Sequence, residues 1–184
     1  MTTLPRRETS RLRFGRETAQ GAYYFLTLCT KGRMPILTDE ATARTITDSF
    51  VSLHSAGDIE LLAATIMPDH VHFLFSLGGP LRVGQVIGKF KAFSRNMGLA
   101  PWRWQQDGFE HQVRDLESLE DYGFYIFMNP YRSGLCSLAT PWSWWLCPQP
   151  AIFRFLAGLQ QTQGVPEAWL GLSDQIGRRI ITGE

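Results

Sequence analysis

Met67-Pro68-Asp69-His70-Val71-His72-Phe73-Leu74-Phe75 is an apolar, β-prone run that carries two of the four histidines one residue apart. Side chains alternate across a strand, so His70 and His72 share one face and Val71, Phe73 and Phe75 the other. One face then belongs to a core. The other carries two imidazoles at a separation that a single metal ion can bridge. A lone strand histidine is usually a hydrogen-bonded structural residue. A His-x-His pair leaves structure, metal binding and catalysis all open.

Outward from this stretch the chain alternates strand and helix signals. Residues 58–67 form a preceding strand, and Pro68-Asp69 interrupts it, so the two strands pair as a hairpin or closely staggered neighbours. Gly78-Gly79-Pro80 ends the histidine strand. Residues 22–30 are aromatic and β-branched and make a first strand, broken by Lys31-Gly32-Arg33-Met34-Pro35. Thr38 is placed to cap a helix running to about His54, with Ala43, Ile46, Phe50 and Leu53 inward and Gly57 as its stop. A second helix is expected over 81–97, with Val83, Val86, Ile87, Phe90 and Phe93 inward and Lys89, Lys91 and Arg95 outward. A fourth, irregular strand is expected over 102–114. Asp115 then caps a third helix over 116–129, ended by Pro130.

The order β-α-β-β-α-β plus one helix is that of an α+β, ferredoxin-like split β-α-β sandwich. It predicts a four-stranded antiparallel sheet covered on one side by two helices. The histidine face is then left free to hold a site. The expected organisation is a basic N-terminal arm over 1–20, a core domain over 21–135 and a Trp/Pro-rich extension over 136–184. The extension holds Pro141-Trp142-Ser143-Trp144-Trp145 and weakly helical pieces near 150–160 and 166–180. Its tryptophans read first as core aromatics and second as platforms for stacked bases.

Composition narrows the function classes. The net charge is +1, so no global basic field announces a polyanionic partner. The arm is different: Arg6, Arg7, Arg11, Arg13 and Arg16 stand against Glu8 alone, which suits either a solvated terminus or contact with phosphates. Cys29, Cys136 and Cys147 are odd in number and scattered, which argues against a disulfide framework and suits a reducing compartment. No secretory signal or membrane span is expected. A cytoplasmic protein is the expectation.

The third helix supplies the remaining chemistry. Tyr125 and Asn129 are four apart and share one helical face. Taken alone, a tyrosine here is core and an asparagine before proline is a helix-end device. Together, a hydroxyl and an amide oxygen one turn apart can approach the histidine face.

The blocks Met67-Pro68-Asp69-His70-Val71-His72, Ile87-Gly88-Lys89-Phe90-Lys91, Trp104-Gln105 with Phe109-Glu110-His111 and Arg114-Asp115, and Tyr125-Ile126 with Asn129-Pro130, Arg132 and Gly134-Leu135 occur in this order. This succession resembles the REP-associated tyrosine transposases, single-tyrosine members of the HUH group, over about residues 10–145. The resemblance implies that His70 and His72 bind a metal and that Tyr125 is the nucleophile. Asn129 stands where such proteins place a third, helix-borne ligand. Ser133, where alanine is usual, and Gly108, where an aromatic is common, depart from the pattern without touching these groups.

The implied activity is that of a DNA strand transferase. It nicks and rejoins single-stranded DNA beside a palindromic, REP-like hairpin through a 5′-phosphotyrosine intermediate, with Mg2+ or Mn2+ as cofactor. The implied partner is the DNA hairpin, bound by a monomer rather than a homodimer. Arg6, Arg7, Arg11, Arg13, Lys89, Lys91, Arg95 and Arg114 are the candidate DNA contacts, and His111 stays open between structure, phosphate contact and proton transfer. Two rival readings stand beside this one: a protein that grips DNA or RNA hairpins without cutting, and a metal-dependent hydrolase that uses a bound water.

Overall fold

The computed structural model describes residues 21–95, 102–114, 117–159 and 162–182. The arginines of the arm and the expected cap Asp115 lie outside these segments. Within them the elements are β1 (Tyr23–Cys29), α1 (Glu40–Ser55), β2 (Ile59–Ile66), β3 (His70–Leu77), α2 (Val83–Phe93), β4 (Phe109–Gln112), α3 (Leu119–Arg132), β5 (Trp145–Leu146), α4 (Arg154–Leu159) and α5 (Ala168–Thr182).

The sheet is antiparallel, with strand order β4-β1-β3-β2-β5. Its first four strands keep the split β-α-β order expected from the sequence. The expected count of four is corrected to five, because the extension adds β5 to the edge of β2. There Thr65 pairs with Trp145, and Ile66 N–H donates to the Trp144 carbonyl at 3.0 Å. The expected strand over 102–114 shrinks to Phe109–Gln112, with Trp104 forming an isolated bridge to Thr30. At Gly108 a Cβ would lie 2.6 Å from Leu28 and 2.9 Å from the Thr27 carbonyl, so the approach to β1 there requires glycine.

Alternation along β3 sorts its residues as the pattern predicted. Val71, Phe73 and Phe75 are buried against α1 and α2, together with Ala43, Ile46, Phe50, Leu53, Val83, Val86 and Phe90. Phe93 departs from expectation: it is exposed, because α2 ends at Phe93 and presents it to solvent. Asp39, not Thr38, caps α1, accepting from Thr42 N–H at 3.3 Å; the helix begins one residue later than expected. A register shift between Leu61 and Ala63 leaves Leu62 as the extra residue of a bulge. The shift turns Leu62 and Ala63 to one face and Ala64 and Ile66 to the other. Thr65 is thereby set opposite His72.

The other face of the sheet is not open. Phe25, Leu62, Ala63 and Leu74 are buried there under α3, and Ile176 and Ile180 of α5 join the same cluster. The physical reason lies in the extension, whose amphipathic helices have an apolar side to bury and find it on α3. Trp145 and Trp169 pack on Phe127, with ring centroids at 5.3 and 6.4 Å. Trp142 Nε1 donates to the Ile66 carbonyl at 3.2 Å. The tryptophans are therefore packing residues.

Helix α3 also differs in its ends. Ser118 caps it, accepting from Asp121 N–H at 3.3 Å. It runs through Pro130 to Arg132 instead of stopping at Asn129. Proline removes one N–H, but Ser133 N–H still reaches the Asn129 carbonyl and Leu135 N–H the Pro130 carbonyl, at 3.0 and 2.9 Å. Gly134, at φ 66°, then closes the helix in the left-handed conformation.

Candidate functional site

His72 sits in the middle of the sheet, with Thr27 of β1 on one side and Thr65 of β2 on the other. Residues directly opposite in an antiparallel pair point to the same face, so all three look toward α3. His72 Nδ1 lies 2.7 Å from Thr27 Oγ1. His70 Nδ1–H donates to Asp69 Oδ1 at 2.6 Å. Asp69 is held in turn by Arg33 Nε at 2.9 Å. Arg33 has φ 56°, a left-handed conformation costly for a residue with a side chain, and its contacts with Asp69 and with Cys29 Sγ hold it there.

These partners occupy the Nδ1 atoms and leave both Nε2 atoms facing each other, 3.1 Å apart. Two nitrogens bound to one divalent ion at about 2.1 Å, near a right angle, lie about 3 Å apart. The fit is therefore good. An Nδ1–H that donates to a carboxylate or hydroxyl is also the usual support for a metal-binding Nε2. Burial, reinforced by positive charge at His70, Arg132 and Arg33, holds His72 well below its ordinary value of 6.5. Burial lowers His70 as well, against the opposing pull of Asp69. Both rings are thus kept in the neutral form that a metal needs. The Thr65 hydroxyl, fully buried on this face, has no hydrogen-bond partner. It is an unsatisfied polar atom beside the histidine pair.

Tyr125 reaches this pair from α3. Its ring centroid is 5.6 Å from that of His72 and 6.0 Å from that of Phe25. Tyr122, one turn earlier, is the competing hydroxyl, and the structure separates the two. Tyr122 stacks on His111 at 5.8 Å and hydrogen-bonds Glu117. Burial, followed by the Glu117 charge, pushes its hydroxyl far up and keeps it protonated. Asn129 is buried, and its Nδ2 donates to the Tyr125 carbonyl at 2.8 Å. That bond fixes the amide and turns Oδ1 the other way. Asn129 makes no hydrogen bond to either imidazole. Among the described residues no cluster of three or more His, Cys, Asp or Glu side chains forms a metal cage.

The structure brings His70, His72 and Tyr125 together; Asn129 is buried one turn further along α3, bonded to the Tyr125 carbonyl. Of the candidate DNA contacts, the arginines of the arm lie outside the described residues. Lys89 Nζ pairs with Asp58 at 2.5 Å, and Lys91 Nζ donates to the carbonyls of Gln105 and Gln106 at 2.7 and 3.2 Å. Both lysines thus tie α2 to neighbouring loops. Arg95 and Arg114 are exposed. His111 Nε2 lies 2.8 Å from Glu117 and bridges β4 to the start of α3. Sequence reasoning missed Asp69, Thr27, Thr65 and Arg33. Asp69 adjoins the pair and is the one that the Pro-Asp-His run signals; the others depend on strand register and a loop contact.

Two strand imidazoles thus converge on an α+β sheet, with the Tyr125 ring of α3 packed against one of them. Residues 18–105 match the family described as Transposase IS200 like. Over that stretch the chain is similar to the IS200-like transposases, and its likeness runs further to the REP-associated tyrosine transposases. It is 24% identical over 185 residues to a Haemophilus influenzae protein provisionally named a REP-associated tyrosine transposase, covering 88% of this chain and 94% of that one. A solved structure of a REP-associated tyrosine transposase bound to a REP hairpin superposes with a TM-score of 0.63. It is 20% identical and covers 78% of this chain and 87% of that chain, a likeness of fold. Among the described residues no helix is long and apolar enough to cross a membrane.

Proposed function

We propose that this protein nicks and rejoins single-stranded DNA beside a hairpin, with Tyr125 as nucleophile. The observation that carries the reading is the placement of the Tyr125 ring against His72, whose Nε2 converges with that of His70. In the step itself the Tyr125 oxygen bonds to the scissile phosphorus. The bond from phosphorus to the 3′ oxygen breaks, the phenolic proton passes to solvent, and the 3′ oxygen leaves as a hydroxyl. A 5′-phosphotyrosine remains. Bond type is conserved, so a 3′-hydroxyl reverses the step and rejoins strands without an energy source.

His70 and His72 would hold a divalent ion, Mg2+ or Mn2+, with the Asn129 Oδ1 as third protein donor. The ion would supply charge stabilisation at the phosphate. The chain's own contribution is positional. Asp69 and Thr27 fix the imidazoles, and α3 sets the Tyr125 ring against His72. Arg95 and Arg114 are exposed and suit phosphate contacts, with Arg6, Arg7, Arg11 and Arg13 of the arm as further candidates and Lys89 and Lys91 beside them.

The test is incubation with single-stranded DNA from the flanks of the gene, with Mn2+, followed by denaturing electrophoresis. A covalent protein–DNA band is expected, lost with chelator and lost in Tyr125→Phe. Tight hairpin binding without any covalent band would favour the non-cutting reading. Cleavage that survives Tyr125→Phe would favour a hydrolase.

A further inference from the structure

The last turn of α3 carries Arg132, two helical turns after Tyr125 and so on the same side of the helix. Its guanidinium carbon lies over the Tyr125 ring, 5.0 Å from the centroid. It does not float there. Arg132 Nη1 donates to the Ser173 carbonyl at 3.3 Å and lies 3.5 Å from Asp174 Oδ1, both on α5. Arg132 thus touches the Tyr125 ring, and the C-terminal extension holds it in place.

The packing of α5 is built for this contact. A Cβ at Gly177 would lie 2.8 Å from Tyr125 Cε2 and 2.7 Å from Arg132 Nη1. The arginine end is flexible and can give way, but the tyrosine ring is wedged against Phe25 and His72. Glycine inside a helix is less favourable than alanine. Here that cost allows the α5 backbone to close directly over the ring. On one side Tyr125 meets Phe25 and His72, and on the other Arg132 and the α5 backbone.

We propose that Arg132 is the positioning residue for the tyrosine nucleophile and that α5 is its anchor, so that the C-terminal extension forms one wall of the nicking site. This rests on the nicking function proposed above. A planar guanidinium lies flat over a ring and still offers donors sideways, which an ammonium does not. Arg132 therefore fixes the ring plane, and with it the line of approach of the phenolic oxygen. Misplacement of a reacting group by about 1 Å costs on the order of 100-fold in rate.

The experiment uses the full chain with Mn2+ and a hairpin substrate at saturation, and measures single-turnover adduct formation alongside hairpin affinity. Arg132→Gln is expected to slow adduct formation by about 100-fold while affinity stays unchanged. Arg132→Lys recovers only part of the rate, and millimolar guanidinium ion restores part of it in Arg132→Ala. Asp174→Asn gives a smaller loss. Arg179→Gln is the control: it breaks the 3.0 Å pair between Arg179 of α5 and Asp121 of α3, and it is expected to nick at the wild-type rate. A wild-type rate in Arg132→Gln overturns the proposal. So does an equal loss in Arg179→Gln, since α5 would then act only by general docking. A readout without DNA separates this inference from the nicking function. With 13C-labelled tyrosine rings, the wild-type Tyr125 ring flips slowly enough to show distinct signals for its two edges, and Arg132→Gln merges them. If the wild type makes no adduct but the signals merge, the nicking function fails and Arg132 still positions the ring. If the signals do not merge, the positioning role fails.

Discussion

The two faces of the sheet draw on alternate residues of the same strands and hold different chemistry. Under α1 and α2, Phe73 meets Phe50 and Phe90 with ring centroids 5.1 and 5.4 Å away, and Phe50 and Phe90 are 4.6 Å apart. Shape alone satisfies such groups. Under α3, the same strand presents His70 and His72, with Thr27 and an unpaired Thr65 hydroxyl on either side of His72. Burying polar groups without full pairing costs stability. The first face therefore supplies stability that the second partly gives up.

The largest expected effect tests that division directly. Phe73→Ala should cost about 3–5 kcal/mol, measured as a fall in the urea midpoint, because it removes a fully buried ring between two helices. His72→Ala should abolish adduct formation while moving the midpoint far less. A His72→Ala protein that unfolds as readily as Phe73→Ala would show that the histidine face carries the fold as well.

Next in size is the seam between α3 and the extension. A Cβ at Gly123 would lie 2.2 Å from the Phe153 ring, and Phe153 is buried to 1% exposure. Gly123→Ala should therefore cost about 1–3 kcal/mol by overpacking. Hydrogen exchange should speed up over residues 150–159, while the α1 and α2 face keeps its protection. Unchanged exchange there would mean that the extension is not pinned by this contact.

How far the sequence reveals the molecule follows the same division. The first face is legible because periodicity reports burial: Ala43, Ile46, Phe50 and Leu53 recur at helical spacing, and Val71, Phe73 and Phe75 alternate. The histidine pair and Tyr125 are legible as residue types at a spacing. What covers them is not. A strand of two residues such as β5 has too little alternation to read, and its pairing depends wholly on β2. The weakly helical pieces of the extension are visible, but not the surface that they bury. The partners of Lys89 and Lys91 are not legible either, because Asp58 and the carbonyls of Gln105 and Gln106 are brought to them only by folding.

A smaller effect concerns pH. His72 and His70 have folded values lowered below 6.5, so on the acid side the unfolded chain binds more protons than the folded one. Stability from this source is fully present above about pH 6.5 and is lost as the pH falls below it. In the presence of chelator, the melting temperature should drop between about pH 6.5 and 5, more steeply than in His72→Asn. Equal slopes in the two proteins would remove the buried histidine as the cause.

The smallest effect compares the caps of two helices, one on each face. Asp39 caps α1 and Ser118 caps α3, each accepting a backbone N–H at 3.3 Å. Replacing either by alanine should cost about 1 kcal/mol in urea denaturation. The consequences for nicking should still be nearly nil in both. Asp39 lies on the face that carries no chemistry. Ser118 fixes the first turn of α3, whereas Tyr125 is held further along by Phe25, His72 and Arg132. Loss of nicking in Ser118→Ala out of proportion to its stability would mean that the helix start, and not these side-chain contacts, sets the tyrosine. That outcome would move the determinant of the site from its packing to its backbone.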